Sequence, residues 1–350
     1  MNLQAVLTLA GLEVRQRVRS TRWRVTLGIL FALMSLIVFG SLYVVVSTDS
    51  TFDDWSVYAF EIVLFVILFV GLVGAPTISA TSINGDRRDA TLAVVQATPI
   101  SAWELTLGKF LGAWVASLAL VGVALPYLVF GIVIGPTSVI ASVGAIVVLA
   151  LLLGCYCAIG LGFSAATSRP AASAMLTQAT VLLLLIGLPL AFVLTVPAVT
   201  SSEKVTVTEW DYGGAASVST CREVPGTREF THTEYTWWLL APNPLVVVGD
   251  VVGAGQHRDS DETRGLLRAL SHGMSATRTG PEIVGSACPT STDDRFNDVV
   301  LYDDRDSGYV GHTWYIGLGI TMAIGAFGLW VAARRLRVPA GKLARGVRVA

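Results

Sequence analysis

Two Gly-Lys pairs are the residues of this chain that come closest to a site for nucleotide chemistry, because a lysine after glycine lies at the centre of a phosphate-binding loop. Such a loop also needs a glycine six positions before the lysine and a Ser or Thr after it. Lys109 has Trp103 and Phe110 at those places, and Lys342 has leucines at both. No serine-hydrolase elbow and no zinc-protease helix occurs either, so the sequence predicts no catalytic residue.

A metal site is the second chemistry to weigh, since all the histidines fall in one polar region with many acids. Their spacings match no helical or finger pattern of zinc ligands. The aspartates between 293 and 306 lack the order of a calcium loop, so we expect a solvated acidic face and no metal. The histidines concerned are His232, His257, His272 and His312.

The cysteines divide into two pairs with different predicted roles. Cys221 and Cys288 fall in the polar region, where an oxidising compartment permits a disulfide, and we expect them to be bonded. Cys155 and Cys157 lie two residues apart in an apolar stretch, so they face different sides of a helix. We interpret the second pair as buried small side chains rather than a redox or metal pair.

The elements that carry these residues are predicted to be membrane helices. Apolar residues make up 53% of the chain and charged residues 14%, and the mean hydropathy is +0.65. This composition excludes a soluble domain of this size. A membrane span needs about 20 apolar residues. Six stretches qualify, namely 25–46, 57–83, 110–134, 139–163, 175–199 and 314–333. The fold class is therefore an all-α polytopic membrane protein with six transmembrane helices.

Basic residues collect in alternate connections between these stretches. They lie in the leader 1–24, in the segment 84–109, at Arg169 and in the tail 334–350, whereas the first opposite loop carries only acids. The positive-inside rule then places both termini in the cytoplasm and the protein in the plasma membrane. The leader is too long and basic for a cleaved signal peptide, so we expect the first span to be retained.

The leader also has a partial helical stripe of apolar residues, which favours a helix at the inner membrane interface over an ordinary basic leader. Three residues, Leu9, Leu12 and Arg17, interrupt the stripe. Its members are Leu3, Val6, Leu7, Ala10, Val14 and Val18.

Charged residues are nearly missing from the predicted spans. Glu61 lies close to the outer start of the second span, where a solvated interfacial carboxylate is expected. Gly108 and Gly112 begin a face of small residues that favours close helix packing. A carrier driven by protons or ions would have no obvious coupling group.

Residues 200–312 form a predicted exoplasmic insertion of mixed α/β structure before the last span at 313–333. It contains 17 acidic and nine basic residues. Segments 204–210 and 228–237 have strand-like composition. Asp259 and Glu262 could cap a short helix that includes Leu267. The stretch 237–248 is too short for a span and is predicted to be interfacial or re-entrant.

The polar segment 84–109, which we call the charged segment, separates the second and third spans. It reads Asn84-Gly-Asp-Arg-Arg-Asp-Ala-Thr-Leu, then Thr98-Pro99, and ends in Gly108-Lys109. This order resembles the cytoplasmic coupling segment of type-2 ABC exporter permeases, which runs roughly Glu-Arg-x-x-Gly-Thr-Leu, Thr-Pro and Gly-Lys. Asp86 replaces the glutamate and keeps its charge. Ala90 replaces the glycine, which should remove the option of a left-handed backbone there.

The resemblance implies a permease that works as a dimer with a second copy or a relative. Each half would sit on a separate cytosolic ATPase, which would bind ATP and Mg²⁺, so this chain would need no cofactor and would bind no nucleic acid. Pro99 would end the ATPase-binding helix, and Lys109 would anchor the third span at the inner headgroups. The helix itself would contain Arg87, Arg88, Asp89, Thr91 and Leu92, and Asp86 would be a further ATPase-coupling residue.

Other interpretations remain open at the level of sequence. The charged segment could be a plain cytoplasmic turn with a solvated basic patch. The protein could instead be a multi-pass sensor or assembly factor that binds a partner through its exoplasmic domain, or it could be a channel or secondary carrier. The cargo, which could be amphiphilic or drug-like, does not follow from these residues.

Overall fold

The computed structural model describes residues 2–48, 51–92, 100–211, 220–255, 265–283 and 308–337. At 208–211 and 220–222, which include Cys221, only the backbone is described. Pro99, Cys288, Asp259 and Glu262 lie outside these ranges. The helix stop at the proline and the disulfide therefore stay predictions. The helix that contains Leu267 begins at Leu266 with Gly265 at its cap position, so the predicted cap of that helix was wrong.

Helices dominate the described chain, and six of them are long and apolar enough to cross a membrane, as predicted. Two of the six are compound: α3 continues into α4, and α7 continues through a π turn into α8. The elements are α1 (Leu3–Arg19), α2 (Thr21–Ser47), α3 (Phe52–Ala80), α4 (Ser82–Arg88), α5 (Ala102–Ile134), α6 (Val139–Ala166), α7 (Pro170–Leu182), the π turn (Leu183–Gly187), α8 (Leu188–Thr195), β1 (Thr200–Asp211), β2 (Thr220–Thr231), α9 (Pro244–Gly253), α10 (Leu266–Thr279) and α11 (Trp314–Arg335).

The starts of α3 and α5 are fixed by capping boxes. The Thr51 hydroxyl accepts from the Asp54 backbone N–H, and the Asp54 carboxylate accepts from the Thr51 backbone N–H. Ser101 and Glu104 form the same reciprocal pair before α5. Each box satisfies two backbone donors that a helix start leaves without a partner. Both long spans therefore begin at residues that the sequence specifies.

The bundle packs most tightly around α3 and α6, in whose most apolar windows half or more of the residues are buried. Glycine permits a close approach between α6 and α11. A Cβ at Gly162 would lie 2.7 Å from the Gly328 Cα, so the two backbones touch. By contrast, only 17% of the window in α2 and 11% of that in α7–α8 is buried, which leaves those helices with apolar outer surfaces.

The insertion after α8 contains one antiparallel hairpin, β1–β2, and the helices α9 and α10. The predicted strand at 204–210 is confirmed. The second strand is Thr220–Thr231 rather than 228–237, because the chain turns into 3₁₀ helix at Thr233–Tyr235 and Trp237–Leu239. The partial alternation of apolar and polar residues in 228–237 therefore does not mark one strand. It covers the end of β2 and the start of the two 3₁₀ helices.

The stretch 237–248 is not a seventh span, as predicted, and it contains the start of α9, a short helix whose residues are nearly all buried. Its interfacial or re-entrant placement stays a prediction. Asn243 caps it by accepting from the Leu245 N–H at 2.9 Å. The Asn243 amide also donates to the carbonyl of Leu185 at 2.9 Å, inside the π turn. A π turn leaves a backbone carbonyl without its helical donor, so Asn243 joins the insertion to the interrupted span.

Two buried carboxylates fix the insertion to the spans, and the sequence analysis did not find their roles. Glu61 was expected to be solvated, but it is only 4% exposed and bonds to the start of α10, so that expectation was wrong. Asp250 in α9 is fully buried. Its carboxylate accepts from the Ser271 hydroxyl at 2.7 Å and from backbone N–H groups of Gly311, Thr313 and Trp314 at 2.7–2.9 Å.

We predict that Asp250→Asn lowers the free energy of unfolding by about 2 kcal/mol or more. An asparagine would turn an NH₂ group toward donors that now point at a carboxylate oxygen, and a buried donor without an acceptor costs about 1–3 kcal/mol. Thermal and denaturant unfolding in detergent measures the change. Asp53→Asn, at an exposed position of α3, is the control and should be nearly neutral. Equal stability of the two variants would contradict this role of Asp250.

Candidate functional site

The structure describes the charged segment at 84–92 and 100–109. Helix α3 ends at Ala80, and after one break at Thr81 the chain continues as α4, which ends at Arg88. A turn at Asp89 and Ala90 follows, and Thr91 and Leu92 are helical again. The predicted polar turn is present and Thr91 and Leu92 are helical, but the one helix expected over residues 87–92 is interrupted at Asp89 and Ala90. The segment begins as a direct extension of a membrane-spanning helix.

Ala90 corrects one expectation from sequence. Its φ is +57°, so the backbone is left-handed at the position where glycine was expected to be needed. A left-handed residue with a Cβ costs roughly 1–2 kcal/mol. The alanine therefore keeps the turn of the glycine form and carries the strain, which means that the contacts on either side of the turn hold it in place.

The strongest of those contacts are made by Lys109. Its side chain was predicted to reach toward lipid headgroups, but it forms ion pairs inside the protein instead. Its side chain is only 5% exposed. The ammonium lies 2.5 Å from Asp86 Oδ2 in α4 and 2.8 Å from Glu13 Oε1 in α1, with the Ser82 hydroxyl at 3.5 Å. Lysine has three donors, and all three are directed at oxygen atoms. The residue therefore joins α1, α4 and α5.

The charges around Lys109 are balanced by a second cation. Arg17, one turn after Glu13 in α1, lies 3.3 Å from Glu13 Oε2. Two basic and two acidic side chains thus form one chain of ion pairs that runs from Asp86 to Arg17. A buried lysine is tolerated when it is paired in this way, because an uncompensated charge in the same place would cost several kcal/mol.

Arg87 and Asn84 fasten α4 to the end of α6. The Arg87 guanidinium donates to the carbonyl oxygens of Ala165 at 3.3 Å and Thr167 at 3.5 Å. A cation at a helix C-terminus also interacts favourably with the helix dipole. The Asn84 amide donates to the Thr167 hydroxyl, and the Ser164 hydroxyl accepts from the Asn84 backbone N–H. Arg87 therefore holds the segment in place.

Leu92 is buried as well. It belongs to a small apolar cluster to which α4, α5, α6 and the C-terminal end of α11 also contribute. The cluster consists of Ile83, Leu92, Leu105, Leu161, Ala165, Ala332 and Leu336.

The residues that remain accessible form an exposed strip, Arg88 to Thr91. Arg88 and Asp89 pair at 3.1 Å with side chains 72% and 60% exposed, and Thr91 donates to the Asp86 carbonyl at 3.3 Å. Such an exposed pair contributes about 0–1 kcal/mol. Of the predicted segment residues that the structure describes, Arg88, Asp89 and Thr91 are thus the most exposed, whereas Asp86 is partly covered at 31% exposure.

Helix α1 lies against the start of α5 through the predicted small-residue face. A Cβ at Gly108 would lie 2.7 Å from Leu9 Cβ, and one at Gly112 would lie 2.6 Å from Glu13 Cβ. Leu9 was read as interrupting the apolar stripe, but it is the residue that fits against Gly108. The Glu104 carboxylate adds a contact by accepting from the Asn2 backbone N–H at 2.5 Å. The leader is thus part of the site, which sequence reasoning missed.

No group of three or more potential metal ligands occurs among the described residues. Cys155 and Cys157 are free and buried, in agreement with the predicted packing role. His232 lies between Glu234 and the Ser201 hydroxyl, at 2.7 and 3.1 Å. The Ser201 hydroxyl also lies 3.2 Å from Glu203 Oε1, so its single proton has two possible acceptors, the imidazole and the carboxylate.

Comparison with known proteins identifies a family for this chain. A family model described as ABC-2 family transporter protein matches residues 7–210. This range starts inside α1 and ends inside β1, so it contains the whole charged segment and five of the six spans. No curated protein matches the chain.

We predict that Lys109→Met lowers the free energy of unfolding by about 2–3 kcal/mol, because it leaves two carboxylates facing each other. Removal of one partner from a fully buried pair costs about 3–5 kcal/mol, and Asp86 and Glu13 keep 31% and 20% exposure. Unfolding in detergent measures the loss. Arg88→Met is the exposed control. Adding Asp86→Asn to Lys109→Met should restore part of the stability; if it does not, packing rather than charge explains the loss.

We predict that Ala90→Gly raises the free energy of unfolding by about 0.5–1 kcal/mol. Relief of the left-handed strain, about 1–2 kcal/mol, exceeds the added entropy of glycine in the unfolded chain. The matched control is Ala171→Gly at an exposed helical position in α7, which should lose up to about 1 kcal/mol. Changes of the same sign in both variants would show that the turn is not strained.

Proposed function

The chain belongs to the ABC-2 family of transporter proteins, and on that premise we propose that it is the permease subunit of an ATP-driven exporter whose ATPase is a separate cytosolic chain. The observation that carries the proposal is the exposed strip Arg88 to Thr91. The strip is held in place by the contacts of Asp86, Arg87 and Lys109, which we call the buried base. ATP and Mg²⁺ would bind to the partner, and this chain would supply the moving membrane path.

The exposed strip suits contact with a partner because its own interactions are weak. The Arg88–Asp89 pair is largely in water, so a partner carboxylate or carbonyl could replace it at a cost of about 1 kcal/mol or less. The strained turn at Ala90 directly follows α4, and its backbone N–H still donates to the Arg87 carbonyl at 3.3 Å. A partner that meets this strip would touch side chains that the fold itself does not need.

The buried base supports transmission of a push on the strip. α4 continues α3, so a displacement at Arg88 acts along a spanning helix. Through Asp86 it acts on Lys109 of α5 and on Glu13 of α1, and through Arg87 it acts on the end of α6. Closing of two ATPases would thus shift four helices together, which is the rigid-body type of switching transition.

The proposal also includes a second permease subunit and an orientation in which the charged segment and the leader face the cytoplasm. The basic residues near the charged segment and in the leader favour a cytoplasmic location for both. The outer surfaces of α2 and α7–α8 leave room for a second copy or for lipid. The cargo would cross between the two halves. Amphiphilic molecules suit such an apolar path, and the direction of transport would be outward.

We expect the double variant Arg88→Glu with Thr91→Glu to lose at least about tenfold in co-purification with the ATPase and in ATP-dependent export. Two new acids on the strip would repel a complementary surface, and like-charge contacts cost several kcal/mol. Arg87 is left unchanged because its guanidinium holds α6, so its loss would confound binding with folding.

The matched control is Arg228→Glu with Thr227→Glu, which makes the same two changes at exposed positions of β2. It should bind the ATPase and export as the unchanged protein does. Size-exclusion profiles and unfolding midpoints of both variants show that the bundle is intact. The proposed role of the strip is wrong if the Arg88/Thr91 variant is folded, retains its ATPase and exports at the normal rate.

A further inference from the structure

The junction between α1 and α2 carries four arginines that the proposed function does not use. Ser20 separates the two helices, with Arg15 and Arg19 before it and Arg22 and Arg24 after it. All four arginines are exposed. Among the residues that the structure describes, none of the four forms an ion pair with an acid. We call these four residues the arginine corner.

The one acid of the leader does not neutralise the arginine corner. Glu13 is the only acidic residue in 1–24, and its two carboxylate oxygens are held by Lys109 and Arg17. Arg24 donates from Nε to the Val18 carbonyl at 3.1 Å, which uses one of the five donors of a guanidinium. The arginine corner therefore keeps an excess of positive charge and of hydrogen-bond donors.

The predicted apolar stripe of α1 is only partly covered by the protein. Val6 and Ala10 are buried, and their carbonyl oxygens lie on the side of the helix that meets the glycines of α5. Leu3, Leu7 and Val18 are instead 53–64% exposed. Large apolar side chains that share an exposed side of a helix indicate a further apolar neighbour.

The basic side of α1 adjoins this exposed apolar side. Successive residues of an α-helix are turned by about 100°, so Leu3, Leu7 and Val18 fall within about 60° of one another. Arg15 and Arg19 follow about 60–100° further round the helix. A helix with this arrangement is typical of a membrane surface, where its apolar side enters the lipid and its arginines reach the head groups.

The same combination continues along α2. Arg22, Val25 and Ile29 are spaced i, i+3 and i+7, so they share one side of the helix, and Leu33 and Leu36 extend that side. The four apolar residues are 39–70% exposed. Since α2 is long and apolar enough to cross a membrane, this side offers a positive charge at the start of a span and an apolar track behind it.

The two properties together select the kind of partner. A soluble anion or an acidic protein would satisfy the arginines but leave the apolar track in water, whereas a phospholipid has an acyl chain for the track and a phosphate for the arginines. Arginine is well suited to phosphate because it donates two parallel hydrogen bonds. We propose that the arginine corner binds the head group of an anionic phospholipid whose acyl chains lie along the Arg22 side of α2.

Native mass spectrometry of the whole chain in detergent, without the ATPase, tests the proposal. The probes are phosphatidylglycerol and phosphatidylcholine with the same acyl chains, and glycerophosphoglycerol, which is the anionic head group alone. We expect phosphatidylglycerol to bind at least about tenfold more tightly than phosphatidylcholine. Glycerophosphoglycerol at the same concentration should not displace it. Equal binding of the two lipids, or displacement by the head group alone, overturns the proposal in favour of an acidic protein or a soluble anion.

The double variant Arg19→Gln with Arg22→Gln tests the location of the site. Each basic residue near an anionic lipid surface strengthens binding about fivefold, so the variant should bind phosphatidylglycerol about thirtyfold more weakly and phosphatidylcholine as before. Arg24 is left unchanged because its guanidinium also bonds to the end of α1.

The matched control is Arg169→Gln with Arg337→Gln, two exposed arginines next to other spans that the positive-inside rule places on the same side of the membrane. It should retain most of its affinity for phosphatidylglycerol. Unfolding midpoints show that both variants are folded. A loss of equal size in the two variants, or unchanged binding in the folded Arg19/Arg22 variant, rejects the site. None of these readouts depends on the ATPase or on export, so their failure would leave the proposed function standing.

Discussion

A buried lysine can exist only where the fold brings it counter-charges, and this requirement fixes one end of the bundle. Lys109 takes one carboxylate from α1 and one from α4, elements separated from each other by two membrane-spanning helices. If either helix moved away, a cation and a carboxylate would lose their partners in a region of low dielectric constant. The positions of the leader, of the charged segment and of the third span are therefore not independent of one another.

The sequence was sufficient to predict features that depend on one helix alone. Spans are set by about 20 apolar residues, so all six could be predicted. Their ends agree to within five residues, except that the third begins at Ala102, eight residues earlier than predicted. The helical leader, β1 and the polar turn followed from local patterns. The roles of Glu61, Asp250 and Leu9 could not be predicted, because each depends on a partner distant in the chain. A charged residue near a span end reads as solvated until its partner is known.

Ala90 shows a different limit of sequence reasoning. The conformational preference of alanine predicted that its backbone would not be left-handed at this turn. That preference amounts to only about 1–2 kcal/mol at one residue. The ion pairs of Asp86, the bonds of Arg87 and the burial of Leu92 lie within four residues of the turn and together exceed that amount. Tertiary contacts therefore overrode the local preference. Pro99 could not be compared, since it lies outside the described residues.

The interactions of the charged segment thus fall into a strong and a weak set. The difference in their free energies determines which contacts a bound partner could break. Breaking the Lys109 contacts would cost several kcal/mol, whereas separating Arg88 from Asp89 costs about 1 kcal/mol at most. A partner that binds the strip can rearrange Arg88 and Asp89 without peeling α4 from α5. Force on the strip would then be carried by the stronger contacts into the bundle, because the weaker ones yield first and the base moves as one body.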